Sequence, residues 1–203
     1  MAPLVVIGTG GHARELVTLA RACGREVAGM AGDDVPTGEY LVRLGVPWLG
    51  PVASILGESN PLVVGFGLPA ERARWVTSLD GGHQRFTTLV HPSAVLADDV
   101  TLGSGAVIHA LCHVSTGVNV ARHVHVGAGS ALAHDVALGS FTTLAPRVVL
   151  SGGVVTGEGV FIGAGAVVVP GCAIGEGTVV SAGAVVVGDV PAGVTAKGAP
   201  ARW

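Results

Sequence analysis

The sequence predicts a two-part chain: a small Rossmann-like α/β subdomain, then a parallel β-helix of about five coils. Three observations carry this. From Leu96 an aliphatic residue returns every sixth position through Leu150; after Thr156 the series resumes at Ile162 and runs to Val186, making sixteen hexads with one non-aliphatic entry. Gly supplies 33 of 203 residues while aromatics are only 4%, so the core must be built from small aliphatic side chains around tight backbone corners. The residues before His91 lack the period and instead alternate short apolar runs with helical patterns. A fixed internal period dictates the architecture and is read before any local propensity.

Taken in order, Leu4-Val5-Val6-Ile7 reads as a short buried strand, followed by the turn Gly8-Thr9-Gly10-Gly11. A helix is expected over about 12–23, with Leu16, Leu19 and Ala20 on its apolar face. A second strand over 26–30 closes a βαβ unit. Another strand is expected over 62–66, then a helix over about 69–79 with Pro69 in its first turn. Strands alternating with helices argue for a small parallel sheet. Thr88-Leu89-Val90 leads into His91-Pro92-Ser93-Ala94, where the period of six begins. The expected division is 1–88, 89–193 and a tail over 194–203.

Two further hexad positions are constrained. The residue after each aliphatic is Gly, Ala or Ser in 13 of 16 hexads, and the fifth position is Val, Ala, Ser, Thr or Cys throughout, from Val100 to Val190. This describes a prism whose sides are short parallel strands and whose corners need a tight backbone. A triangular coil takes about 18 residues, and at about 4.8 Å between paired strands five coils stand about 25 Å tall. Each coil covers its neighbours, so other elements must cap the ends.

Charge and cysteines narrow the function. A net charge of −3 leaves no basic footprint for nucleic acid and no polybasic patch for membranes. Cys23, Cys112 and Cys172 form no CxxC and are odd in number, which reads as free thiols in a reducing compartment. Cys112 and Cys172 fall on the small inward-facing position, so they are expected as packed core thiols. The opening apolar run is short and leads into a Gly-rich turn, unlike a secretory leader, so a cytoplasmic protein is expected.

The hexads resemble the left-handed parallel β-helix of the hexapeptide-repeat acyltransferases, and more closely the NeuD/PglD-like sugar acetyltransferases. Four segments carry the resemblance: Ile7-Gly8-Thr9-Gly10-Gly11-His12-Ala13, His91-Pro92-Ser93-Ala94, Ala133-His134-Asp135 with Leu138-Gly139, and Gly198-Ala199-Pro200-Ala201. The left hand is implied by the resemblance alone, since parallel crossovers are otherwise right-handed. The resemblance also implies an acetyl-coenzyme A-dependent acetyltransferase without a metal, acting on an amino sugar, nucleotide-linked, in glycan biosynthesis. It further implies a homotrimer with active sites between protomers.

In that family the His of the His134-Asp135 motif is the general base, and its acidic neighbour orients it. An imidazole suits the task because it titrates near neutral pH. Gly152 lies 18 residues on, one coil away. It matches the glycine whose amide holds the thioester oxygen, and acyl transfer needs such an oxyanion donor. Thr143 stands where members often carry a second His, and Gly127 where they often carry Asn. The resemblance places Thr143 beside the cofactor, and Lys197 and Arg202 near the phosphates of coenzyme A, which cations suit. Gly8, Gly10, Gly11 and His12 form a strand-to-helix turn of the kind that admits a phosphate. With Asp33 and Asp34, these residues match the family's contacts to the nucleotide-sugar acceptor. Phe66-Gly67-Leu68-Pro69 replaces the polar segment usual there, so nucleotide contacts are expected to differ.

Other readings stay open at this stage. The same base serves a hydroxyl, so O-acetylation of a sialic-acid-type sugar is the alternative. His109, His113, His123 and His125 invite a zinc site of the kind found in carbonic anhydrase-like β-helices. They occupy three different hexad positions, however, and zinc ligands must converge on one point, so no metal is expected. His91 and His109, 18 apart, are expected on neighbouring coils. A non-catalytic trimeric scaffold is the remaining alternative.

Overall fold

The computed structural model describes residues 2–36, 39–56, 59–79 and 85–203. The chain opens with β1 (Leu4–Ile7), α1 (Gly11–Ala22), β2 (Val27–Ala31), α2 (Tyr40–Leu44), a 3-10 turn (Val52–Ile55), β3 (Leu62–Val64) and α3 (Pro69–Ser78). β1 is buried on both faces, as four consecutive apolar residues require, and it sits centrally in a parallel sheet of order β2-β1-β3. Ala13, Leu16, Val17, Leu19 and Ala20 give α1 a buried stripe at helical spacing. The helices end within one residue of the expected positions. α2 and the 3-10 turn are additions that no periodic pattern announced.

From Leu89 onward, two-residue rungs wind around three parallel faces of seven, six and five rungs. The first face carries Leu89–Val90, Val107–Ile108, His125–Val126, Thr143–Leu144, Phe161–Ile162, Val179–Val180 and Thr195–Ala196. The second begins at Val95–Leu96 and includes Ala131–Leu132 and Val149–Leu150; the third begins at Thr101–Leu102. Pairing joins residues one 18-residue coil apart, as in His125↔Val107 and His125↔Thr143. This makes about six coils, close to the expected five. Leu89–Val90 adds a rung at the start. At the end, where a tail was expected, Thr195–Ala196 pairs with Val179–Val180 across a shortened coil.

The repeated aliphatics are the core: Ile108, Val126, Leu132, Leu150, Ile162 and Val180 are all buried. Cys112 and Cys172 are buried among them. The one break in the pattern, Thr156, is buried too; its hydroxyl accepts from the Gly139 amide at 3.1 Å and lies 3.1 Å from that of Thr142. A buried hydroxyl is tolerated because it is bonded.

The corners reveal a second register. From Gly105 to Gly183 every sixth residue has a left-handed φ; nine are glycines, but Leu111, His123, Asp135, Phe141 and Arg147 hold φ of 55–62°. A side chain there costs roughly 1–2 kcal/mol, so these five positions are where something else must justify the residue.

The N-terminal subdomain lies on the start of the first face. Leu89 and Val107 join the cluster under α1, and Phe141 joins the cluster holding Val76 and Phe86. One side chain ties the seam together. Arg72 of α3 is fully buried and faces no carboxylate among the described residues; it donates to the carbonyls of Phe66, His123 and Phe141 at 2.6–2.8 Å, and to Thr143 Oγ1 at 2.9 Å. Burial lowers its pKa to about 9, so it is still a cation at neutral pH.

Candidate active site

His134 and Asp135 stand at the corner after the second-face rung Ala131–Leu132. The left-handed φ of 61° at Asp135 turns its carboxylate back, and Oδ2 lies 2.8 Å from His134 Nδ1. An ionised carboxylate only accepts, so Nδ1 carries the proton, and in the neutral imidazole Nε2 is the nitrogen with the lone pair. Both side chains are open to solvent, at 64% and 71% exposure. The imidazole lies directly over Gly152: a Cβ there would come within 2.5 Å of His134 Cε1 and Nε2. Glycine is therefore required one coil along for the ring to lie down. The neighbouring amide of Gly153 donates to the His134 carbonyl at 2.9 Å, while the Gly152 N–H has no acceptor among the described residues. The expected trio of His134, Asp135 and Gly152 is thus brought together, with a basic nitrogen beside a free amide.

Thr143 is elsewhere. It lies on the first face, is buried, and donates its hydroxyl to the Gly67 carbonyl at 2.7 Å while accepting from Arg72. Within one chain that hydroxyl is committed to the seam. Lys197 and Arg202 sit at the far end of the solenoid, exposed, their backbones bonded to each other at 2.9 Å.

The expected acceptor residues divide among three cavities. Gly8, Gly10, Asp33 and Asp34 line a cleft of about 260 Å³ together with Glu71, Arg74 and Trp75. Gly8 needs its φ of 109°, which passes the backbone beside the Phe66 ring. Asp33 is partly spoken for, since its Oδ1 accepts from the Val52 amide at 3.0 Å. Phe66 and Trp75 stack at 5.7 Å, and the Trp75 Nε1–H is buried without an acceptor among the described residues. Phe66 and Trp75 give the cleft an apolar wall, and Asp33, Asp34 and Glu71 line it with carboxylates. Gly11 lies instead beside a cavity of about 430 Å³ between α1 and α2, which His134 does not line.

His12 turns the other way, toward the solenoid. Its Nε2 lies 2.8 Å from Nδ1 of His125, and its Nδ1 lies 3.3 Å from Glu15. With His109, these residues edge a cavity of about 300 Å³ whose other walls include Gly127, Thr143, Pro146 and Phe161. Burial, then the Arg72 charge, pulls His12 down to about 4. Burial, then His12, does the same to His109, and His125 is driven well below the usual range. All three are neutral at pH 7, so the contact to Glu15 is a hydrogen bond and not an ion pair. The separation expected from hexad positions holds for exposed His113 but fails for His109 and His125, because a residue from the other subdomain joins them. His91 and His109 border one further cavity, as neighbours one coil apart. The residues that pattern reading missed are Arg72, Trp75 and Glu15; it named His12, His109 and His125 but did not foresee that they meet. Non-glycine entries at the left-handed corners, His123 and Phe141 among them, were the available signal for the seam.

A prism of two-residue rungs repeating every six residues, with an exposed carboxylate-supported imidazole at one corner, is the build of a hexapeptide-repeat transferase. Family models agree: "Bacterial transferase hexapeptide (six repeats)" matches residues 153–188 and "PglD N-terminal domain" matches 3–79. No curated protein matches the chain. PerB from Caulobacter crescentus, solved in complex with CoA and GDP-perosamine, is 34% identical over 100% of this chain and 97% of its own, with a TM-score of 0.90. The acetyltransferase domain of PglB from Neisseria gonorrhoeae is 30% identical over 100% of this chain and 99% of its own, at 0.88. WeeI from Acinetobacter baumannii, 24% identical with a TM-score of 0.89 over 100% of this chain and 99% of its own, shares the fold. The chain belongs to the NeuD/PglD-like sugar acetyltransferases of the hexapeptide-repeat superfamily.

Proposed function

We propose that this protein transfers an acetyl group from acetyl-coenzyme A to the amine of a nucleotide-linked amino sugar in glycan biosynthesis. The observation that carries the reading is the His134 ring, proton-anchored by Asp135 and lying on Gly152. The sugar amine attacks the thioester carbonyl, and Nε2 of His134 takes the proton the nitrogen sheds. The Gly152 amide meets the oxygen as it gains charge, and the thiolate departs. PerB and the PglB domain, the latter solved also with acetyl coenzyme A, support the donor; GDP-perosamine on PerB supports an amino-sugar acceptor.

The cleft walled by Gly8, Gly10, Asp33, Asp34 and Trp75 suits the nucleotide, and His12 the sugar side. Lys197 and Arg202 follow His134 by about three coils, roughly 15 Å along the axis, a distance over which coenzyme A can stretch toward cationic side chains. A base this exposed needs a wall. Val95, Val149 and Val155 on the second and third faces are 62%, 40% and 48% exposed, apolar area that suits a homotrimer with the donor in the grooves.

The test is His134→Ala, assayed by thiol release from acetyl-coenzyme A with GDP-, UDP- and dTDP-linked 4-amino sugars. Loss of the base should lower kcat by about 10²–10⁴-fold with folding intact by circular dichroism. A variant as fast as wild type would discard the mechanism.

A further inference from the structure

The cluster at the seam has more ligand character than hydrogen bonding alone explains. His12, Glu15 and His109 each offer a donor atom, and these atoms lie within 4.8 Å of one another. The three come from two parts of the fold: His12 and Glu15 from adjacent turns of α1, His109 from a solenoid corner one step past the rung Val107–Ile108. Behind them stands His125, fully buried, with Nδ1 on His12 Nε2 and with its own Nε2 unpartnered among the described residues. A metal-bound imidazole is held in this way, one nitrogen to the ion and the other anchored to a buried partner.

The geometry points to a transition-metal site, of the zinc class, formed by His12 Nδ1, His109 and a Glu15 carboxylate oxygen, with His125 orienting His12. Two imidazoles and one carboxylate are a common ligand set for Zn²⁺, which leaves a fourth position for water; the cavity of about 300 Å³ opens there. With the ion on Nδ1, His12 would donate from Nε2 to His125 Nδ1 across the 2.8 Å contact already present, and the His125 proton would sit on its Nε2. Small closing movements suffice, since Glu15 is 67% exposed and free to swing. The ion would clip α1 to the solenoid. Proton transfer stays with His134 at another corner of this chain, and the ion, through His12, would border the sugar side of the acceptor.

The experiment uses full-length, tag-free protein stripped with chelator and titrated with Co²⁺, then Zn²⁺. A single Co²⁺ per chain should bind with the visible absorption of a four-coordinate ion, and Zn²⁺ should displace it and raise the thermal midpoint. His109→Ala, a partly exposed position, should lose both effects, as should Glu15→Gln, while exposed His113→Ala should lose neither. His125→Ala should weaken binding by about 10–100-fold if it folds, and His109→Ala decides the matter if it does not. Absence of saturable Co²⁺ binding, or binding that survives His109→Ala, overturns the site. Transferase activity of the stripped protein is read separately, so failure of the metal site and failure of the acetyltransferase reading cannot be confused.

Discussion

The solenoid and the seam between its first face and the N-terminal subdomain are built on opposite principles. In the solenoid each rung meets the same surroundings as the one 18 residues away, so Ile108, Val126, Leu144 and Ile162 answer one repeated question. At the seam every contact is made once. Arg72 reaches carbonyls 51 and 69 residues on, and His12 meets His125 113 residues on. Repetition spreads stability evenly over many small burials; the seam concentrates it in one cation and a few rings.

The sharpest way to break that contrast is to remove the cation. Arg72→Met keeps much of the side-chain volume but leaves the carbonyls of Phe66, His123 and Phe141 without their donor in a buried place. Leaving a buried acceptor without its donor costs about 1–3 kcal/mol, and three carbonyls share this one. The loss should fall on the N-terminal subdomain. In a denaturant titration, the fluorescence of Trp48 and Trp75 should shift to lower midpoint, while the far-ultraviolet signal of the solenoid keeps its own. A single transition at the wild-type midpoint would show that Arg72 is not what holds the two parts together.

The same contrast explains what was legible beforehand. The rungs, the inward cysteines, and the meeting of His134 with Gly152 all followed from the spacing of 6 and 18. Recurrence turns a local pattern into a distance. The βαβ unit was legible because β1 and α1 carry ordinary strand and helix periodicity. The His12–Glu15–His109–His125 cluster was not, for its members are chosen by how one subdomain docks on another. Arg72 sat unnoticed because an arginine on a helix is usually solvated, and only tertiary contact revealed its burial.

A middle-sized effect tests the ruler itself. Gly152→Ala places a methyl 2.5 Å from two atoms of the His134 ring, so the imidazole must tilt away from the corner. Its neighbours in the solenoid are unaffected, and stability should change by about 1 kcal/mol or less. Activity should suffer far more, since displacing a catalytic group by about 1 Å can cost about 10²-fold. Acetyl transfer by Gly152→Ala at the wild-type rate would mean that the ring does not work from where it lies.

The smallest effect runs against intuition and separates corner from site. Arg147 holds a left-handed φ of 62° at a position where nine of the fourteen corners from Gly105 to Gly183 use glycine. It is exposed, so little packing repays the strain. Arg147→Gly should therefore raise stability by about 0.5–1 kcal/mol: relief of roughly 1–2 kcal/mol of steric strain, less the about 0.5–1 kcal/mol of extra chain entropy that glycine gives the unfolded state. Asp135→Gly relieves the same strain at the same turn, but it removes the carboxylate that fixes the His134 proton on Nδ1. A stabilised and less active Asp135→Gly beside a stabilised and fully active Arg147→Gly, read by denaturant midpoints and initial rates, would show that the corner tolerates strain at Asp135 for the sake of the base. Equal losses of activity in both would mean that the turn itself, rather than the carboxylate, matters to the reaction.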